Sequence, residues 1–297
     1  MPNENRPTTV WTRQQSGVPN VIASGRGSNV LSGIANNLHY LYFLARAAGG
    51  AVLTRAQLIT DIGRIQVRMG TETIVNATVT ELLDLYKYYY DKFGALAAPL
   101  GVIVVPFIRP NMPAWDVGRA FGLGMKKNAD PNDGQLHTVS YEVTFNAGLV
   151  TAATVDLWVG HDIYDPEPPG LHVRTLEITR SHAAVGIERI VDLPRTQVGA
   201  LAYHWQAGTA TAFTVIKNGQ TVVDGVDVNV MAIQQDMAGR TPQAGIWSLD
   251  LALSNDLNGY ERLGAGVVEW DVRPTWGVAP GAGYALLCEE IHDGVAG

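Results

Sequence analysis

The sequence predicts an all-β chain built as two antiparallel sandwich halves in tandem. Three observations carry that expectation. Short runs of alternating apolar and polar residues recur along the 297 residues. Gly (32) and Pro (15) punctuate them at turn-like intervals. No stretch alternates strand with long helix, as a parallel α/β sheet requires.

The first 27 residues read as an extended arm, with Pro2, Pro7 and Pro19 and little periodicity. The first strongly patterned element is TVTELLDLYKYYYDKF, residues 78–93. Thr78 and Glu81 have capping-box spacing. Leu82, Leu85, Tyr86, Tyr89, Tyr90 and Phe93 then share one helical face, and Gly94 closes the element. The spacing predicts a four-turn helix whose tyrosines pack and keep polar tips. Residues 101–108, GVIVVPFI, read as a strand covered on both faces, which Pro106 pushes to an edge or an end. In TVSYEVTFN (138–146), Val139, Tyr141, Val143 and Phe145 face one way and polar residues the other. TVDLWV (154–159), IWSLDLA (246–252) and VVEWDV (267–272) alternate likewise. A second helix is capped by Asp227, ends at Gly239 and carries Val230, Ile233 and Met237 as its packing stripe.

The order of these elements repeats. IQVRMGTETIV (65–75) is a hairpin around Gly70, followed by helix, glycine and the strand from Gly101. FTVIKNGQTVV (213–223) is a hairpin around Asn218-Gly219, followed by helix, glycine and the strand from Gly245. Gly70 to Gly94 spans 24 residues and Gly219 to Gly239 spans 20; the next glycine follows after 7 and 6. One β-rich unit is therefore written twice. The expected organisation is an arm at 1–27, a first half at 28–165, a Pro-rich linker at 166–170 and a second half at 171–297. Each half has room for about eight short strands and one inserted helix, the strand count of a jelly roll. A Greek-key sandwich of another kind gives a similar pattern.

Chemistry is sparsely signalled. GxSxG, HExxH and P-loop patterns are absent. The FGLGMKK segment, with Gly122 and Gly124, lacks a third glycine and reads as a turn. Cys288 is the only cysteine, so it reads as a small apolar strand residue. Of seven histidines, His161 and His292 have acidic company. Asp162, Asp165 and Glu167 follow the first; Glu289 and Glu290 precede the second, with Asp293 after it. Such carboxylates suit a hard cation such as calcium, but the spacing lacks a dedicated oxygen-ligand loop, and solvated loop ends are the preferred reading. No catalytic, cofactor or metal residue is assigned. Trp158, Trp247 and Trp270 are expected in the core; Trp11, Trp115, Trp205 and Trp276 are not placed by pattern. Asn76-Ala77-Thr78 is a formal glycosylation sequon, but Thr78 is better explained as a cap.

The net charge is −7, from 21 basic and 28 acidic residues, and residues 1–27 hold only a weak basic excess. That argues against direct contact with nucleic acid. The polar N-terminus lacks a signal peptide's apolar core, so the expectation is a soluble protein made in a reducing compartment.

Three segments, VPFIRPNM (105–112), IVDLPR (190–195) and VGALAYH (198–204), carry a resemblance. With the order of helix, strand and linker over about 35–290, they are similar to the major capsid proteins of tailless, membrane-containing bacteriophages of the corticovirus type. The resemblance implies a double jelly roll: two tandem eight-stranded antiparallel jelly rolls, each with one inserted helix. It implies a non-enzymatic homotrimer forming pseudo-hexagonal capsomers of an icosahedral virion around an internal lipid membrane. Implied partners are neighbouring capsomers, penton proteins and minor membrane-associated capsid proteins, with synthesis in the host cytoplasm. The helix at 78–93 and the loop after Pro110 are the candidate trimer contacts. Two alternatives remain open: a two-domain jelly-roll glycan-binding protein or hydrolase, and a non-viral oligomeric scaffold.

Overall fold

A computed structural model describes residues 9–90, 101–108, 122–127, 130, 134–193, 198–253 and 260–294. The chain divides into two compact units. The first takes the described residues of Met1–Tyr86, Gly94–Arg174 and Asp293–Gly297; the second takes those of Lys87–Phe93 and Thr175–His292.

In the first unit a four-stranded sheet has the order β1 (Val10–Arg13), β8 (Ala152–His161), β3 (Leu38–Ala47), β6 (Val102–Pro106). All three pairings are antiparallel. A second run of strands follows the order β5 (Glu72–Thr78), β4 (Ile62–Met69), β7 (Val139–Phe145), β2 (Arg26–Val30). Alternation decides what each strand buries. Val139, Tyr141, Val143 and Phe145 are buried, as their spacing predicts. Leu41, Phe43, Ile103, Val105, Leu157 and Val159 are buried too. Each such side chain contributes roughly 1.5–3 kcal/mol by leaving water. Pro106, which has no N–H to give, ends the edge strand β6 as expected.

The second unit repeats the plan. One sheet has the order β10 (Gly186–Ile187), β16 (Trp270–Trp276), β12 (Ala210–Lys217), β13 (Gln220–Asp227). The other has β14 (Trp247–Asp250), β11 (Gly199–Trp205), β17 (Gly281–Asp293), β9 (Leu171–His182), with β15 (Glu261–Arg262) beside β11. Strand β9 begins in the first unit and counts in the second from Thr175. The Asn218-Gly219 turn joins β12 to β13 with φ of 50° and 76°. These are the left-handed values a two-residue hairpin needs. The core gathers Tyr203, Trp205, Phe213, Val215, Trp270 and Trp276.

Both hairpins run straight into helices. Helix α2 (Val79–Tyr90) follows β5 with no intervening residue. The Thr78 backbone N–H donates to Glu81 at 2.7 Å and the Glu81 N–H donates back to Thr78 Oγ1 at 3.3 Å, the capping box of the sequence. Helix α3 (Val228–Met237) follows β13 just as directly, capped by Asp227. Phe93 and Gly94, named as the end of the first helix, lie outside the described residues.

Several expectations need correction. A further helix, α1 (Arg55–Asp61), stands in the first unit with its own capping box, Thr54 and Gln57. The stripe assigned to α3 faces the wrong way: Val228, Met231 and Gln235 are buried, while Val230, Ile233 and Met237 are 49, 63 and 82% exposed. The tryptophans also redistribute. Trp205, Trp270 and Trp276 are core, Trp158 and Trp247 are half-buried, and Trp115 lies outside the described residues. Trp11 is largely exposed and packs its ring 4.6 Å from Tyr42. Residues 1–27 are not wholly an arm, since β1 and the start of β2 fall there and pair with β8 and β7. The segment around the Pro-rich linker is hydrogen-bonded to the rest of the first unit. Asn36 donates to the Tyr164 carbonyl at 2.7 Å, and the Glu167 carbonyl accepts from Lys126 at 3.0 Å.

Candidate functional site

The densest polar cluster among the described residues lies inside the second unit. Strand alternation puts His204 of β11 and Glu289 of β17 on a common face; their side chains are 4% and 0% exposed. His204 Nε2 stands 3.0 Å from Glu289 Oε2 and Nδ1 stands 2.7 Å from Ser248 Oγ. The tautomer with its proton on Nε2 satisfies both contacts: the ring donates to the carboxylate and accepts from the serine. The Tyr89 hydroxyl donates to the same carboxylate at 2.5 Å. Beside it, Tyr88 donates to Asp250 at 3.1 Å, and Arg240 Nε donates to that carboxylate at 2.9 Å. The Arg240 guanidinium also sits 4.9 Å from the Tyr89 ring centre, a cation–π contact. Burial, then the Asp250 carboxylate, hold the Tyr88 phenol well above its ordinary pKa, so it remains a donor.

Serine, histidine and carboxylate in this order match the roles of a hydrolytic triad. Their surroundings do not. All three side chains are buried, and a nucleophile needs room for an acyl group beside Oγ. A groove of about 510 Å³ is lined by Leu249, Asp250 and Gln235 but not by Ser248. Every polar atom named above answers another, so the arrangement does structural work: it satisfies buried groups that would otherwise each cost free energy.

A second polar set ties the residues just after β10 to β16 and β17. Trp276 Nε1 and the Tyr284 hydroxyl both donate to Glu188 Oε2, at 2.9 and 2.7 Å. Asp271, whose side chain is 0% exposed, accepts from Arg189 and Arg273, each at 2.6 Å. Burial alone would raise its carboxyl. The hydrogen bonds from Arg273 and Arg189 outweigh burial and hold the pKa below the usual carboxylate value.

The acidic residues weighed as a cation site do not converge, and neither run is simply a solvated loop end. Asp162 is buried and accepts from the Asn37 backbone and side chain at 3.2 and 3.0 Å, pinning two segments of the first unit. Asp165 and Glu167 are exposed. Glu289 and Glu290 lie within β17, buried, on its opposite faces; Glu290 meets His292 at 3.3 Å. Among the described residues, no three His, Cys, Asp or Glu side chains group as metal ligands. Cys288 is buried in the core, as its pattern predicts. The networks escaped sequence reasoning because their partners are far apart in the chain: 85 residues for His204 and Glu289, 200 for Tyr89 and Glu289.

Two sandwiches in tandem, each with a helix leaving its hairpin and with polar clusters turned inward, define the double jelly-roll architecture. It is the fold of major capsid proteins of icosahedral viruses. The chain is similar over 97% of its length to the crystal structure of the major capsid protein P2 from bacteriophage PM2, with a TM-score of 0.79, 16% identity and 98% of that chain covered. It is also similar to the atomic structure of Sulfolobus Turreted Icosahedral Virus (TM-score 0.66, 11% identity, 96% and 90% covered). A third likeness is to the capsid of the virus PBCV-1 (0.62, 11%, 96% and 94%). No family model and no curated protein matches the sequence.

Proposed function

We propose that this chain is a structural major capsid protein. Its homotrimers form pseudo-hexagonal capsomers of an icosahedral virion that encloses an internal lipid membrane. The observation that carries this reading is the likeness to the P2 capsid protein over nearly the whole of both chains. It matches both sandwiches and their order, not one jelly roll alone. Six sandwiches from three chains make a pseudo-hexagon, a tile suited to a closed shell. The buried state of the Ser248, His204 and Glu289 side chains supports a structural part over the hydrolase alternative. On this reading the chain resides in the virion after synthesis in the host cytoplasm. It meets neighbouring capsomers, penton and minor membrane-associated proteins, with the membrane beneath and no direct hold on the genome. The halves assigned to 28–165 and 171–297 are the two jelly rolls.

Light scattering on the native protein tests the reading. The expected mass is three times 32.0 kDa. A chain that stays monomeric at high concentration overturns it.

A further inference from the structure

Asn-Gly is the dipeptide at which a protein chain most readily modifies itself. Glycine has no side chain to block its own nitrogen from the asparagine carboxamide. The sequence has two such pairs, Asn218-Gly219 and Asn258-Gly259; the second lies outside the described residues. The first is the exposed tip of the β12–β13 hairpin. Its carboxamide is held at both ends. Asn218 Nδ2 donates to the Gly266 carbonyl at 2.9 Å, and Oδ1 accepts from the backbone N–H groups of Val268 and Glu269 at 2.8 and 3.1 Å. The backbone is held too. The Asn218 N–H donates to the Glu269 carbonyl at 3.1 Å, and the Gly219 N–H donates to the Glu269 carboxylate at 2.9 Å. One short segment, 266–269, thus grips both the carboxamide and the nitrogen that would attack it.

In that modification a base in solution takes the Gly219 proton, and the nitrogen bonds to Asn218 Cγ. The Cγ–Nδ2 bond breaks, ammonia leaves with the proton, and a succinimide ring remains. Water then opens the ring at Cγ, which leaves aspartate, or at the backbone carbonyl carbon, which leaves isoaspartate. The early steps each meet a contact in this structure. The Glu269 charge beside the Gly219 N–H disfavours a negative nitrogen there. The three bonds on the carboxamide keep its carbon from turning toward that nitrogen. We infer that Asn218 is a conditional modification site: segment 266–269 keeps it intact while the second unit is folded, and release of that segment opens it to deamidation. The change does not reverse. An aspartate at this position sets a carboxylate against the Gly266 carbonyl, two acceptors with no proton between them.

The test is peptide mass spectrometry of the full chain after incubation in mildly alkaline buffer, with and without urea. In urea both Asn-Gly pairs should convert at similar rates. In native protein Asn218 should convert at least roughly tenfold more slowly than in urea, because several hydrogen bonds must open together first. Glu269→Ala, shown to be folded by circular dichroism, should convert several-fold faster than the unaltered native chain. Glu269→Gln keeps an acceptor without the charge and should fall between the two. Native Asn218 that converts as fast as in urea overturns the inference. So does a folded Glu269→Ala that converts no faster than the unaltered chain; a slower one makes Glu269 the base that starts the reaction. The comparison of native with urea-unfolded protein decides the matter even where a variant fails to fold.

Discussion

At Glu289 one carboxylate answers both His204 and Tyr89 in a site closed to water. Removing a buried acceptor strands its donors, which costs more than the bond itself is worth. Glu289→Ala should therefore destabilise the second unit by about 3–5 kcal/mol in urea unfolding, the cost of breaking a buried pair from one side. Glu289→Gln should lose less, because the amide oxygen still accepts. Asp271 makes a different prediction, one of pH. Its folded pKa is depressed by Arg273 and Arg189 against the pull of burial. The stability it contributes is present above the unfolded value of about 4 and is lost as pH falls through the lower folded value. The gap in melting temperature between the unaltered chain and Asp271→Asn should thus be full at neutral pH and shrink below about pH 4.

At the scale of elements, the cap decides where a strand becomes a helix. Thr78 closes both ends of its capping box with Glu81. Thr78→Ala should cost about 1 kcal/mol, read by chemical denaturation, while Thr78→Ser should keep most of it. The sequence made α2 legible because capping spacing and a broad apolar face coincide. It also announced α1 through Thr54 and Gln57, but the segment is short and its apolar residues are few, so periodicity stayed silent. Helix α3 shows a firmer limit. Spacing locates a stripe but not the neighbour it packs on, and Val230, Ile233 and Met237 are as periodic as the buried set. The buried run of β11, GALAYHW, hides its polar member for a similar reason: His204 becomes intelligible only when β14 and β17 bring Ser248 and Glu289 to it.

At the scale of the whole molecule, duplication was the most informative signal, because glycines and hairpins keep their spacing after side chains diverge. The two units reproduce that order strand for strand around their hairpins. Charge is likewise a property of the whole. A net −7 leaves little basic surface for phosphate. Filter binding should therefore find no retention of duplex DNA even at low salt; tight, salt-sensitive retention would contradict the proposed separation of shell and genome.

Strand β13 stands at the edge of its sheet, and its pairing with β12 slips twice, between Phe213 and Val215 and between Val215 and Ile216. It carries Asp224, Asp227 and a Gly225 at φ 53°. A kinked, acidic margin makes a poor template for another strand. At this margin, crowded copies of the chain are thereby steered away from the backbone-to-backbone stacking that builds fibrils.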